Sequence, residues 1–132
     1  MKSKSLSITI IIVALGIGGS MVFSGSRNQN TVIEQNINNV IEVDGKQIIT
    51  ITAKGGYLPK VTLAKAGMPT VLKISTKGTF DCSSSIVIPS LGYKNNLPPS
   101  GETLIDVPSQ NAGSKLRGLC AMGMYSFEVN FN

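Results

Sequence analysis

Two cysteines, Cys82 and Cys120, and five methionines carry all the sulfur in a chain that has no histidine and no tryptophan. Cys120 opens the run Cys120-Ala121-Met122-Gly123-Met124. If that run is extended, residues two apart face the same way, and Cys120, Met122 and Met124 present three sulfurs on one side. Thiolate and thioether ligands select soft ions, copper(I) foremost. Gly123 would let the backbone bend so that the sulfurs converge. An ordinary reading competes with this one. Two cysteines in an exported domain commonly form one structural disulfide, and methionines commonly fill gaps in a core. The spacing alone leaves both open.

Other chemistry finds no agents. Without histidine there is no general base of the usual kind. Ser83, Ser84 and Ser85 have no imidazole to activate them and read as a solvated turn. Asp81, Glu102 and Asp106 stand singly, with no paired spacing, and read as turn and surface residues. The chain therefore reads as a binding module and not as an enzyme. Its formal charge of +5 comes from 12 basic and 7 acidic residues. Lys2, Lys4 and Arg27 supply three of those positive charges outside the domain. The remaining lysines are scattered from Lys46 to Lys115, which is not the clustered footprint that nucleic acid requires.

Several short β-type runs must position the sulfurs. Ile41–Val43, a turn at Asp44-Gly45 and Gln47–Ala53 read as a hairpin, or as a strand entered through a tight turn. Lys60–Ala64, Val71–Ser75, Ser85–Ile88, Thr103–Val107, Lys115–Leu119 and Tyr125–Phe131 read as further strands. Gly55-Gly56, Pro59, Ala66-Gly67, Lys77-Gly78, Pro89–Ser100 and Ser109–Gly113 read as breaks and connections. No apolar period of 3.6 residues runs for a helical length after residue 27. Many short, evenly spaced strands argue an all-β sandwich or barrel.

The N-terminal part has a different texture. Ser5 to Ser26 carries no charge, and Leu6–Phe23 is almost wholly apolar or small. A helix rising about 1.5 Å per residue needs roughly 20 such residues to cross a bilayer core. Lys2 and Lys4 precede it, so the positive-inside bias places everything after Arg27 outside the cytoplasm. A cleaved signal peptide shares this pattern, with Ser24-Gly25-Ser26 as small residues for a peptidase. Either way the domain is exported. The expected organisation is an anchor over 1–26, a polar spacer over 27–39 and a β domain over 40–132.

A wider pattern joins these pieces. Gly56-Tyr57-Leu58-Pro59, Ala66-Gly67-Met68-Pro69, Cys82 followed by Ile86-Val87-Ile88-Pro89-Ser90-Leu91-Gly92, then Leu97-Pro98 and Cys120-Ala121-Met122-Gly123-Met124, spans about Gln47 to Phe131. It resembles the cupredoxin-like domains of bacterial exported and membrane-anchored proteins, which often occur near copper-exporting ATPases. The resemblance implies a Greek-key β-sandwich with a metal site at one end. It places Cys82 where blue-copper relatives carry their first histidine ligand, at the start of a strand. Cys120 matches the cysteine that begins their ligand loop, Met124 matches a loop position that carries histidine or methionine, and Met122 is an additional ligand. The chain departs from the family in three ways. It has no histidine, which excludes a blue cupric His₂Cys centre, the strand before Cys120 has no aromatic residue, and Ser126 stands where a glycine is common.

The expectation that follows is a membrane-anchored copper(I)-binding protein that acts outside the cytoplasm as chaperone, buffer or resistance protein. Its expected partners are the membrane and a copper-transporting ATPase or another copper protein. Electron transfer is the alternative, disfavoured by all-sulfur ligation. A structural sandwich with a Cys82–Cys120 disulfide and no metal is a third reading.

Overall fold

The computed structural model describes residues 38–132. The expected anchor over 1–26, and the spacer as far as residue 37, lie outside the described residues. Among those described, no helix is long and apolar enough to cross a membrane.

Ten strands form in chain order: β1 (Val40–Val43), β2 (Lys46–Ala53), β3 (Tyr57–Leu58), β4 (Val61–Ala64), β5 (Thr70–Lys77), β6 (Ser85–Ile88), β7 (Tyr93–Asn96), β8 (Ser100–Val107), β9 (Lys115–Leu119) and β10 (Ser126–Phe131). One sheet runs β1-β2-β5-β8, with β3 added beside β2; the other runs β4-β10-β9-β6-β7. β2 with β5 and β4 with β10 are parallel, and the remaining pairs are antiparallel, so both sheets are mixed.

Alternation explains why these segments are strands. β2 buries Gln47, Ile49, Ile51 and Ala53 while the residues between them are more exposed. β5 repeats the pattern with Thr70, Leu72, Ile74 and Thr76, and β10 with Phe127, Val129 and Phe131. Period two sends every second side chain to one face. The two inner faces share a single apolar cluster. Each fully buried Ile, Leu or Phe in it contributes about 1.5–3 kcal/mol of transfer free energy.

Gln47 is a polar member of this interior, and its partners account for it. Its amide donates to Lys65 O at 2.7 Å and Thr70 Oγ1 at 2.8 Å, and its Oε1 accepts Lys65 N–H at 3.0 Å. It thereby fastens the start of β2 to the connection between β4 and β5.

The segment Pro89–Ser100, expected as a connection, is more structured than that. It contains a 3-10 turn over Pro89–Leu91 and the strand β7, and β8 begins at Ser100. β7 escaped the sequence reading because Tyr93-Lys94-Asn95-Asn96, a mostly exposed edge strand, carries no run of β-type apolar residues. Such a strand has no apolar face to alternate, and its polar side chains suit an edge that must not pair with other chains.

Candidate metal centre

Cys82 and Cys120 reach one place from the ends of two neighbouring strands, one just before β6 and one just after β9. β9 turns Leu116 and Gly118 inward, and the same alternation puts Cys120, the next residue after the strand, on the buried face. β6 lies beside β9, joined at Val87 and Leu119. Cys82 sits in the 3-10 turn Cys82–Ser84 that leads into β6. The two Sγ atoms lie 2.6 Å apart, without a disulfide bond drawn between them. Cys120 is fully buried, whereas Cys82 is partly exposed, so solvent reaches the pair through Cys82.

The run Cys120–Met124 is a turn, not the extended segment that would align three sulfurs. Leu119 and Ser126 are cross-strand partners, so the residues between them must reverse the chain. Gly123 N–H donates to Cys120 O at 2.9 Å, and Cys120 N–H donates to Tyr125 O at 3.0 Å. Gly123 adopts φ +71°, a conformation glycine takes without steric cost. Met122 and Met124 stand 79% and 68% exposed on this turn, and Met124 borders a groove with Gly56, Leu58 and Tyr125. The structure thus brings the two thiols together and leaves the two thioethers at the surface beside them.

The protons of the pair are unequally held. The hydrogen bond that Cys82 donates to Cys120 pushes the Cys82 thiol up, and partial burial adds to this. For Cys120, burial opposes ionisation, but the hydrogen bond from Cys82 and the backbone N–H groups of Tyr125, Met122 and Met124 outweigh it and hold the thiol below its ordinary value. The Tyr125 N–H lies 3.4 Å from the Cys120 sulfur. Cys120 is therefore the sulfur that carries negative charge first. N–H groups aimed at a thiolate favour the charged form.

Asp81, Ser83, Ser85 and Tyr57, none of them expected as site residues, shape this centre. Asp81 caps the Cys82 turn: its Oδ1 accepts Ser83 N–H at 2.8 Å and Ser83 Oγ–H at 2.5 Å, and its Oδ2 accepts Gly55 N–H at 2.8 Å. The bonds from Ser83, then that from Gly55, hold its carboxyl below the usual range. Ser83, read from sequence as part of a solvated run, is fully buried because this cap draws it inward. Ser85 Oγ donates to Cys82 O at 3.2 Å and accepts Ala121 N–H at 3.1 Å. Tyr57 donates its phenol to Ser85 O at 2.5 Å, and burial, followed by the nearby sulfurs and Asp81, keeps that phenol protonated. The Asp-x-Ser spacing at 81–83 is a capping signature legible in sequence. The roles of Tyr57 and Ser85 are contacts across the fold and have no such local signal.

The donor set suits a soft ion. Two converging sulfurs match the preference of a monovalent soft cation. Among the described residues no three of His, Cys, Asp or Glu converge on a common point. Zinc in a structural site takes four such ligands, and hard cations take six or more oxygens.

No family model matches the chain, and no curated protein matches it in sequence. Among solved structures it is similar to the metal-binding domain of the Cu(I)-exporting P-type ATPase CopA of Streptococcus pneumoniae D39, crystallised with Cu(I). Identity there is 22%, covering 70% of this chain and 92% of that one, with a TM-score of 0.63. It is also similar to a copper binding protein solved by NMR in the apo form, at 24% identity, covering 70% of this chain and 94% of that one, with a TM-score of 0.63. The likeness is one of fold: both of these copper-binding proteins share this β-sandwich.

Proposed function

We propose that this domain binds copper(I) as cargo through the thiolates of Cys82 and Cys120, with Met124 and then Met122 as supplementary thioether donors. The observation that carries this reading is the convergence of the chain's two cysteines, one from the turn that leads into β6 and one from the end of β9. The copper-binding neighbours in fold support it. Thiolates offset the charge of a monovalent cation, and the absence of imidazole favours the reduced ion over cycling between states. The protein then acts in copper homeostasis as a chaperone, buffer or resistance protein and performs no catalysis. Cys82, as the exposed partner, is the sulfur at which an ion enters and leaves.

Reduced full-length protein challenged anaerobically with copper(I), silver(I) and zinc tests this assignment. Copper(I) or silver(I) should bind at about one ion per chain without visible colour, and zinc far more weakly, since only two strong ligands are at hand. Tight zinc binding at equal stoichiometry, or no binding of any ion after reduction, would overturn it.

The setting proposed for this activity is the outer face of the cell membrane, with residues 1–26 as the single span. A copper-transporting ATPase or another copper protein is the exchange partner. The protein should fractionate with membranes, and protease added to spheroplasts should degrade the domain. Recovery of a soluble form starting near Arg27 would show cleavage in place of anchoring.

A further inference from the structure

The β6–β9 ladder stops short of the centre it carries. Val87 and Leu119 are its only paired residues. In an antiparallel pair the next partners on the same face, two residues on in each direction, would be Ser85 and Ala121. There the backbone ladder is replaced by a side chain: Ala121 N–H donates to Ser85 Oγ at 3.1 Å. The same hydroxyl donates its own proton to Cys82 O at 3.2 Å. One oxygen is thus bonded to the residue after Cys120 and to the carbonyl of Cys82 itself. Ser85 is in turn held from two sides. Its backbone pairs with Asn96 of β7, and its carbonyl accepts the Tyr57 phenol, whose ring packs edge-on to Phe127 in the core.

We infer that the Ser85 hydroxyl is the positioning residue of the centre, the clamp that sets the two thiol-bearing segments at the separation where both sulfurs meet one ion. The inference rests on the copper-binding reading for its functional meaning, although the clamp itself acts on the thiols whether or not metal is present. Ala121 is exposed, so water replaces its lost partner when the hydroxyl is removed. The consequence of removal therefore falls on geometry more than on stability.

The test compares Ser85→Thr with Ser85→Val in the full-length protein. These side chains are alike in shape, both suit a strand, and only threonine keeps the hydroxyl. Ser85→Ala is added as the simple deletion and Ser84→Ala as a control, since the Ser84 hydroxyl makes no hydrogen bond within the described residues.

The first readout needs no metal. In glutathione buffers, the two thiols and oxidised glutathione yield the Cys82–Cys120 disulfide and two reduced glutathiones, and the equilibrium constant reports how well the sulfurs are held together. Misplacement on the ångström scale costs up to about 100-fold in such intramolecular steps. Ser85→Val and Ser85→Ala should lower the constant about tenfold or more, with Ser85→Thr and Ser84→Ala close to wild type. The second readout is copper(I) affinity by competition, expected to fall about 10–100-fold in the same two variants, the range for losing a group that orients a ligand. An unchanged exchange constant in Ser85→Val, or an equal fall in Ser84→Ala, would overturn the clamp. A lowered exchange constant with unchanged copper affinity would leave the clamp standing and remove the copper reading of this thiol pair.

Discussion

Replacing either cysteine with serine should reduce copper(I) affinity more than 100-fold, about 2.8 kcal/mol or more of binding free energy. Loss of a group that merely orients a ligand costs about 10–100-fold, and loss of a charged ligand should exceed that. The hydroxyl of serine keeps much of the shape and removes the soft anion. Met124→Leu keeps volume too, yet removes only a neutral thioether standing 68% exposed, so its effect should fall within or below the 10–100-fold range. The two cysteine variants should differ in stability. Cys120→Ser places a hydroxyl at a fully buried position beside Tyr125 N–H, whereas Cys82→Ser alters a partly exposed one. Competition of the reduced variants against a copper(I) chelator measures the first effect and thermal unfolding the second. If Cys82→Ser leaves affinity untouched and instead lowers the melting temperature of the oxidised protein, the pair is a structural disulfide and the metal centre is wrongly assigned.

Gly118→Ala should be among the most destabilising single-methyl additions in the domain. A Cβ built on Gly118 would lie 2.2 Å from Phe127 Cε1 and 2.3 Å from Cζ. Gly118 and Phe127 are cross-strand partners on β9 and β10, and the ring lies over the glycine. Phe127 has nowhere to retreat: it is 1% exposed and packs edge-on to Tyr57, centroids 5.4 Å apart at 68°. Overpacking of this kind costs about 1–3 kcal/mol. In a domain of this size that lowers Tm by roughly 5–20 °C. Because Tyr57 also bonds Ser85, the displacement should reach the thiol pair and weaken copper binding as well. Phe127→Leu in the Gly118→Ala background should recover part of the loss, since shortening the ring removes the contact. A double-mutant cycle on unfolding free energies checks this coupling. Additive losses would show that the ring is not what excludes a side chain at 118.

The same pair bears on the strand before Cys120, which carries no aromatic residue of its own. The aromatic cover there comes from β10 across the ladder, and Gly118 provides the space for it.

How much was legible beforehand depends on the range of the interaction involved. The strands of the core follow from period-two burial, which a single segment displays by itself, and Gln47–Ala53 and Tyr125–Phe131 lie within a residue of β2 and β10. Cys82 and Cys120 stand out because sulfur is scarce and histidine absent, so residue type alone narrows the chemistry. The Asp81 cap on Ser83 has a local signature too, yet Ser83 was expected in a solvated turn and is buried. β7 was not legible, because Tyr93-Lys94-Asn95-Asn96 carries no run of β-type apolar residues, unlike the equally exposed edge strand β1.

What the tertiary structure alone decided is which groups meet. Residues 82 and 120 come within 2.6 Å only because β6 and β9 are neighbours in a sheet whose order is not its chain order. The methionines, placed by sequence in one row with Cys120, are turned to the surface by the reversal that Leu119 and Ser126 demand. Ser85, indistinguishable in sequence from the two serines before it, becomes the tie between the thiol segments through partners 3 and 36 residues away. Residue types and their local periodicity are properties of a segment, whereas hydrogen bonds across a sheet are properties of the pairing. That pairing is set by the packing of all the strands together.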